Sequence, residues 1–281
     1  TSRILLGTSI TGLWARSPAA LAQTASSLDT MADGRLILGL GTGNLLVVEQ
    51  WHGIKPERPV RRMREFIEIM RMIWRGERMK YEGEIFKLDG TFTPAYKGPR
   101  DYIPIYIGAS GPKLTRLAGE ISDGWMPTHV DIFKLDVLKS ELDIGAQKAG
   151  RDPSNISITP GIATVVSDNP GPARERAKGR LALYVGGLSD KYHELMIRYG
   201  FKIEADKIRA AWKKEDYSSA TTAVSEEMLD HFVIVGNAEH CQKQLEVCYS
   251  SGIDHPRIAL DESTPMEDVY KSLEILAPEK R

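Results

Sequence analysis

Cysteine is nearly absent. Two occur in 281 residues, Cys241 and Cys248, which excludes a disulfide-framed fold. Their spacing of seven within a helical pattern puts both on one face, as core thiols. There is no Cys-x-x-Cys pair and no Cys/His cluster with ligand spacing, so no metal site is expected. Excess charge of one sign is missing too. Lys+Arg at 37 against Asp+Glu at 38 leave a net charge of -1, which gives no pull toward nucleic acid or an anionic membrane. No apolar run approaches the roughly 18 residues of a membrane span. The opening "TSRILLGTSITG" carries no charged-then-apolar leader. The expectation is a protein of the reducing cytoplasm with a small-molecule partner.

What is present is a recurring strand-then-helix pattern. A strand from Arg3 to Thr8 precedes a helix opened by Ser17-Pro18, with Leu21, Ala25, Leu28 and Ala32 at helical spacing;. Leu36–Leu40 is the next strand, so β-α-β closes in about 40 residues, as in a right-handed parallel crossover. Val60, Met63, Ile67, Met70 and Trp74 stripe the following helix, which ends at Gly76;. "MKYEGEIFKLDG" reads as a hairpin excursion with Glu82-Gly83 at its tip. Ile103–Ile107 is a strand running into a helix begun by Pro112. Ala173–Asp230 is a helical tract without strand signals, and "HPRIALD" is the last strand. Strands separated by helices throughout mean α/β with a mainly parallel sheet.

Two turns stand at strand C-termini, where α/β folds bind ligands. In "LILGLGTGN", Gly39 and Gly41 occupy the first two positions of a dinucleotide fingerprint, but the sixth is Asn44 rather than glycine;. The stretch is either a turn that lets a ligand lie against bare backbone or a plain strand-to-loop turn. Gly108, Ala109, Ser110 and Gly111 join a strand to the Pro112 helix, and free N–H groups at such a terminus suit a phosphate. No nucleophile–base arrangement stands out; Ser110 is not in a Gly-x-Ser-x-Gly form. That suits an enzyme whose cofactor carries the chemistry. His52 and His129 are the histidines assigned to loops near strand C-termini, and so the candidates for proton transfer. Trp14 either walls a planar ring or fills the core, and Trp125 reads as core. The run Arg61, Arg62, Arg64 reads as a solvated helix face or as an arm reaching an acidic ligand tail.

Several blocks in order, "RILLGTSITG", "RSPAALAQTASSLDTMADGRLILGLGTGN", "HGIKPERPVRRMREFIEIMRMIWRGE", "YEGEIFKLD" and "PIYIGASGPKLTRLAGEISDGWMP", resemble the bacterial luciferase-like superfamily of flavin- and deazaflavin-dependent oxidoreductases. They are most similar to its methylenetetrahydromethanopterin reductase branch. The resemblance covers most of Ile4–Met126 and then thins. It implies a (β/α)8 TIM-barrel type fold with insertions, one domain over residues 1–281 with a helical insertion over about 173–230 that shapes the substrate pocket. Members carry two further β-α units before the strand that starts here at Arg3. Six barrel-strand candidates begin near Ile4, Leu36, Ile103, Gly124, Ile158 and Ile258, so the chain is expected to lack about two N-terminal units of the eight.

The resemblance also implies function. The leading expectation is a cytoplasmic oxidoreductase moving a hydride between the deazaflavin coenzyme F420 and a small or pterin-like substrate. An FMN-dependent monooxygenase using oxygen is the alternative; a cofactor-binding barrel without turnover is a third reading, and a phosphate-binding lyase a weaker one. Gly41, Thr42, Gly43 and Asn44 match the turn against which the coenzyme lies. Gly108–Gly111 match the segment that takes its phosphate tail. Thr8, Ser9 and Ile10 match a segment under the ring that often holds a non-prolyl cis peptide, here Ser9–Ile10. Some relatives have a glutamate where Asn44 stands, and an amide cannot exchange a proton as a carboxyl does; Asn44 would orient by hydrogen bonding. Relatives often form homodimers or higher homo-oligomers.

Overall fold

Local signals set the first helix. In the computed structural model, which describes residues 2–93, 98–260 and 262–277, α1 (Pro18–Met31) starts where the Ser17 side chain accepts a hydrogen bond from the Ala20 N–H;. Two strand fragments precede it, β1 (Leu6–Gly7) and β2 (Thr11–Gly12), and β3 (Leu36–Gly41) follows. The single strand expected over Arg3–Thr8 is thus shorter, and the chain leaves β1 and resumes at β2, with a cis peptide between Ser9 and Ile10.

Next come α2 (Leu45–His52), α3 (Pro59–Trp74), and the hairpin β4 (Lys80–Glu82) and β5 (Lys87–Asp89). The sequence pattern assigns no element to residues 45–50 and places His52 in a loop. Instead His52 is the last residue of α2, a helix entered through the Asn44 carbonyl, which accepts the Val48 N–H at 3.0 Å. Two valines disfavour helix locally, and so mask it in the sequence. β6 (Ile105–Gly108), α4 (Pro112–Ile121), β7 (Gly124–Trp125), α5 (Asp136–Lys148) and β8 (Ser157–Ile158) follow.

The chain forms two compact units. The first comprises Thr1–Met126 and Glu141–Ser157. Its strands are parallel in the order β1-β3-β6-β7, with β2 also on β3. Register is fixed by pairs such as Leu6↔Leu36, Leu38↔Ile105 and Ile107↔Trp125. Its core holds Leu38, Leu40, Phe66, Met70, Ile105 and Ile107. Within it, a Cβ on Gly119 of α4 would stand 2.1 Å from the Leu142 carbonyl of α5, so the helix backbones touch there. Glu65 of α3 is buried and accepts the N–H groups of Glu84, Ile85 and Phe86 at 2.9, 3.0 and 2.9 Å. One carboxylate therefore fixes the tip of the β4–β5 hairpin to α3.

The second unit comprises Pro127–Ser140 and Ile158–Arg281. Its three parallel strands are β9 (Gly161–Val166), β10 (Val233–Gly236) and β11 (Arg257–Ala259), in the order β10-β9-β11. Between β9 and β10 runs the helical tract expected from sequence: α6 (Pro170–Leu183), a π-helical turn at Tyr184–Leu188, α7 (Asp190–Arg198), α8 (Lys202–Trp212), α9 (Tyr217–Thr222) and α10 (Glu226–Phe232). Then α11 (Ala238–Ser250) and α12 (Met266–Leu276) complete it. Strand β10 has no place among the six strands read from sequence. All four of its residues are buried, so it lacks the alternation that marks a half-exposed strand. Cys241 and Cys248 are both free and buried on α11, where burial pushes their thiols up to about 11 and about 12. Among the described residues no helix is long and apolar enough to cross a membrane, and no group of His, Cys, Asp or Glu could hold a metal ion.

Candidate active site

The glycines of "LILGLGTGN" first make room for the protein's own chain. A Cβ on Gly39 would fall 1.9 Å from the Thr8 carbonyl oxygen, so a side chain cannot exist there without displacing backbone;. The Thr8 hydroxyl donates to the Gly39 carbonyl at 2.8 Å and ties the two segments together. A Cβ on Gly41 would meet Ile10 Cδ1 at 2.7 Å, and one on Gly108 would meet Ile10 Cγ2 at 2.9 Å. Ile10 therefore covers the bare backbone of both strands, and it remains 36% exposed on its outer side. The result is a flat apolar seat at the ends of three strands.

Register decides whether the two turns share one end of the sheet. Gly41 of β3 pairs with Gly12 of β2 and with Gly108 of β6, all parallel. The segments that continue, Thr42–Asn44 and Ala109–Gly111, therefore leave neighbouring strands at the same end. Each is held from behind by a tryptophan. Trp14 Nε1 donates to the Thr42 carbonyl at 2.9 Å. Trp125, fully buried, donates from Nε1 to the Ala109 carbonyl at 2.8 Å. The second contact accounts for Trp125 as core, as the sequence implied, and also as a strut under the turn. Gly43 has φ +64°, a left-handed conformation that glycine adopts without strain;.

Gly111 caps α4 without a side chain, and Pro112 occupies the first turn. The N–H groups of Lys113 and Leu114 have no intrahelical acceptor, and with the helix dipole they favour an oxyanion.

A cavity of about 200 Å³ opens beside the first turn, lined among others by Ile10, Trp14, Arg16, Thr42, Asn44 and His52. The structure thus brings together five residues singled out from sequence, with Gly43 between them. Five further lining residues, Gly12, Ala15, Arg16, Val47 and Val48, carry no site signal in the sequence. Val48 lies on the unassigned helix, and Arg16 stands two residues beyond Trp14 with no local signal beyond its charge. Thr8 and Ser9 lie next to the seat in the chain, and the Thr8 hydroxyl serves the sheet.

His129 lies in the second unit. Its backbone φ is +55°, a left-handed conformation uncommon outside glycine;. The ring sits 4.3 Å from Tyr184 and 4.9 Å from Tyr192, centroid to centroid, and its Nδ1 is buried without a hydrogen bond. Burial, helped by the Arg180 charge, pushes its pKa down to about 4, so the imidazole is neutral at pH 7;.

Comparison with known proteins identifies the family and the fold. The luciferase-like monooxygenase family matches residues 1–255. The chain is 31% identical over 258 residues to 5,10-methylenetetrahydromethanopterin reductase of Archaeoglobus fulgidus, across 90% of this chain and 76% of that protein. It is 40% identical over 156 residues to F420-dependent glucose-6-phosphate dehydrogenase of Nakamurella multipartita, across 54% of this chain and 45% of that protein. The solved structure of coenzyme F420-dependent tetrahydromethanopterin reductase from Methanopyrus kandleri superposes with a TM-score of 0.82 at 26% identity, covering 99% of this chain and 83% of that one. The α/β fold with parallel strands is thus of the barrel type expected from sequence.

Proposed function

Because the chain belongs to the luciferase-like monooxygenase family, we propose that it is an oxidoreductase that uses the deazaflavin coenzyme F420 to transfer a hydride to or from a small or pterin-like substrate. The observation that carries this reading is the register pair Gly41↔Gly108, which sets two open turns at one sheet end around the Ile10 seat. An elongated coenzyme with a planar ring and an anionic tail needs such an arrangement: a flat apolar surface, close backbone, and free N–H donors. The residues present fit it. F420 rather than FMN is favoured by the relatives, whose names carry F420 or methanopterin reduction.

When bound, the coenzyme supplies the hydride-carrying carbon; the protein positions it and handles protons. Ile10 would back the ring, Gly41–Asn44 would hold it against open backbone, and Asn44 would orient it by hydrogen bonding. Gly108–Gly111 and the α4 N-terminus would receive the phosphate of the tail. Asn44 cannot deliver a proton, so His52, which lines the same cavity, is the proton-transfer candidate in this unit. His129, held neutral by burial in the second unit, is the other proton-transfer candidate named by the sequence. The protein works in the cytoplasm as a homodimer or larger homo-oligomer.

The test is direct titration with F420 and with FMN, followed by fluorescence, and then anaerobic turnover of reduced F420 with candidate acceptors. F420 should bind at least tenfold more tightly than FMN. Tight binding of FMN alone would overturn the reading. Tight F420 binding with no hydride transfer to any acceptor would support the non-catalytic barrel instead.

A further inference from the structure

Helix α3 and its caps carry six arginines, and five of them are neutralised. Arg58 pairs with Glu84 at 2.9 Å, Arg61 with Glu65 at 3.1 Å, Arg64 with Glu120, Arg71 with Asp123 at 3.7 Å, and Arg75 with Glu77 at 2.5 Å. Arg62 is different. Its guanidinium lies 5.0 Å from the Trp14 ring centroid and 5.2 Å from that of Phe86, and its Nε, like that of Arg71, is buried without a hydrogen bond. No carboxylate and no other hydrogen-bond partner meets Arg62 among the described residues. A half-buried guanidinium forfeits hydration, and ring faces return only part of it. Five of its neighbours show that this surface finds carboxylates for its arginines. Leaving one unpaired is a cost that an external anion would offset.

The surroundings point the same way. Trp14, the ring Arg62 rests on, walls the cavity beside the Gly41–Asn44 turn, and Arg16 lines that cavity. Arg16 also has no partner among the described residues. Neither Asp nor Glu lines the cavity. Phe86, the other ring, is fixed through its N–H to buried Glu65 of α3, and Trp14 is fixed through its Nε1 to the Thr42 carbonyl, so both rings around Arg62 are held in place.

We propose that Arg62 and Arg16 form a cationic subsite, flanking Trp14, that holds an oxyanion of the coenzyme's acidic tail other than the phosphate assigned to Gly108–Gly111. The inference rests on the F420 reading and extends it, since it names charge-bearing side chains where that reading uses backbone alone. Arg62 binds the tail and, through its stacking on Trp14, steadies the Thr42 turn.

The experiment measures dissociation constants of F420 and of the tail-less deazaflavin riboside for wild type, Arg62→Met, Arg62→Lys and Arg16→Met, at low and high salt. It also records the shift in Tm caused by millimolar inorganic pyrophosphate. Arg62→Met should weaken F420 about tenfold at low salt and flatten its salt dependence, with the tail-less compound unchanged within about twofold. Arg62→Lys should keep most of the affinity, because it keeps the charge. Pyrophosphate should raise the Tm of wild type and not of Arg62→Met. Equal losses for both deazaflavins, or a lysine variant as weak as the methionine variant, would reduce Arg62 to a packing role and overturn the proposal. If wild type ignores F420 yet shows the Arg62-dependent pyrophosphate shift, the coenzyme assignment falls and the oxyanion site stands. If the methionine variant does not fold, Arg16→Met carries the same comparison.

Discussion

Substitution of Gly39 by alanine tests the packing that underlies the whole site. The added Cβ would lie 1.9 Å from the Thr8 carbonyl oxygen and 3.0 Å from Met126 Sδ. The first distance is roughly 1.5 Å short of ordinary van der Waals separation. Neither side yields easily. Thr8 is held by its N–H to the Ile37 carbonyl at 3.3 Å and by its hydroxyl to the Gly39 carbonyl at 2.8 Å. Strand β3 is fixed on its other side by β6, through Leu38↔Ile105 and Leu40↔Ile107. Relief therefore requires breaking the Thr8 hydrogen bonds, at about 1 kcal/mol each, and shifting a packed strand, at about 1–3 kcal/mol. Alanine returns about 0.4–1 kcal/mol by restricting the unfolded chain. The net expectation is a loss of about 3 kcal/mol. Gly12→Ala is the control: nothing lies within 4 Å of its Cβ, so it should be neutral or slightly stabilising. Gly41→Ala should fall between them, since its clash is with the end of the flexible Ile10 side chain, and it should cost more in F420 affinity than in stability. Chemical denaturation followed by circular dichroism and tryptophan fluorescence ranks the three. A Gly39→Ala midpoint within about 0.5 kcal/mol of the Gly12→Ala value would refute the reasoning.

Three further outcomes are expected. Burial opposes the charge of Glu65, but three backbone N–H donors and Arg61 outweigh it and hold the carboxyl below its ordinary value of 4.5. Its contribution is therefore complete above the unfolded pKa and lost as pH falls; Glu65→Gln should cost about 2–3 kcal/mol at pH 7 by orphaning one or two N–H groups, and should blunt the acid limb of a stability–pH curve below about 4.5. His129 has a folded pKa near 4 against an ordinary 6.5, so its neutral burial favours the fold above pH 6.5. That advantage fades between pH 6.5 and 4, by up to about 3 kcal/mol, and His129→Phe should flatten the stability curve in that window. An NMR titration showing His129 protonated at pH 6 would contradict this. Cys241 and Cys248, buried with raised pKa values, should resist thiol reagents at pH 8 until denaturant is added; fast labelling of either in the native protein would show α11 opening.

Period and punctuation in the chain determined much. The Ser17 cap, the α3 stripe, the glycine turns after β3 and β6, the long helical tract and the two core cysteines are all local, because each is written in neighbouring residues through caps, periodicity or backbone freedom. Strand β10 and helix α2 were not legible. Burial on both faces erases alternation in one, and branched residues disguise the other. The tertiary structure alone decided what the glycines are for. Nothing near Gly39 in sequence says that Thr8 presses on it, or that one isoleucine spans Gly41 and Gly108. Only the parallel register put the two turns at one end of the sheet. Pairing of charges divided the same way: Arg61–Glu65 and Arg75–Glu77 are local pairs legible in the sequence, whereas the carboxylates of Arg58, Arg64 and Arg71 and the two rings on Arg62 come from residues roughly 20 to 60 positions away;. Local chemistry fixes which elements can form; the juxtaposition of distant segments fixes which of their surfaces remain free to bind.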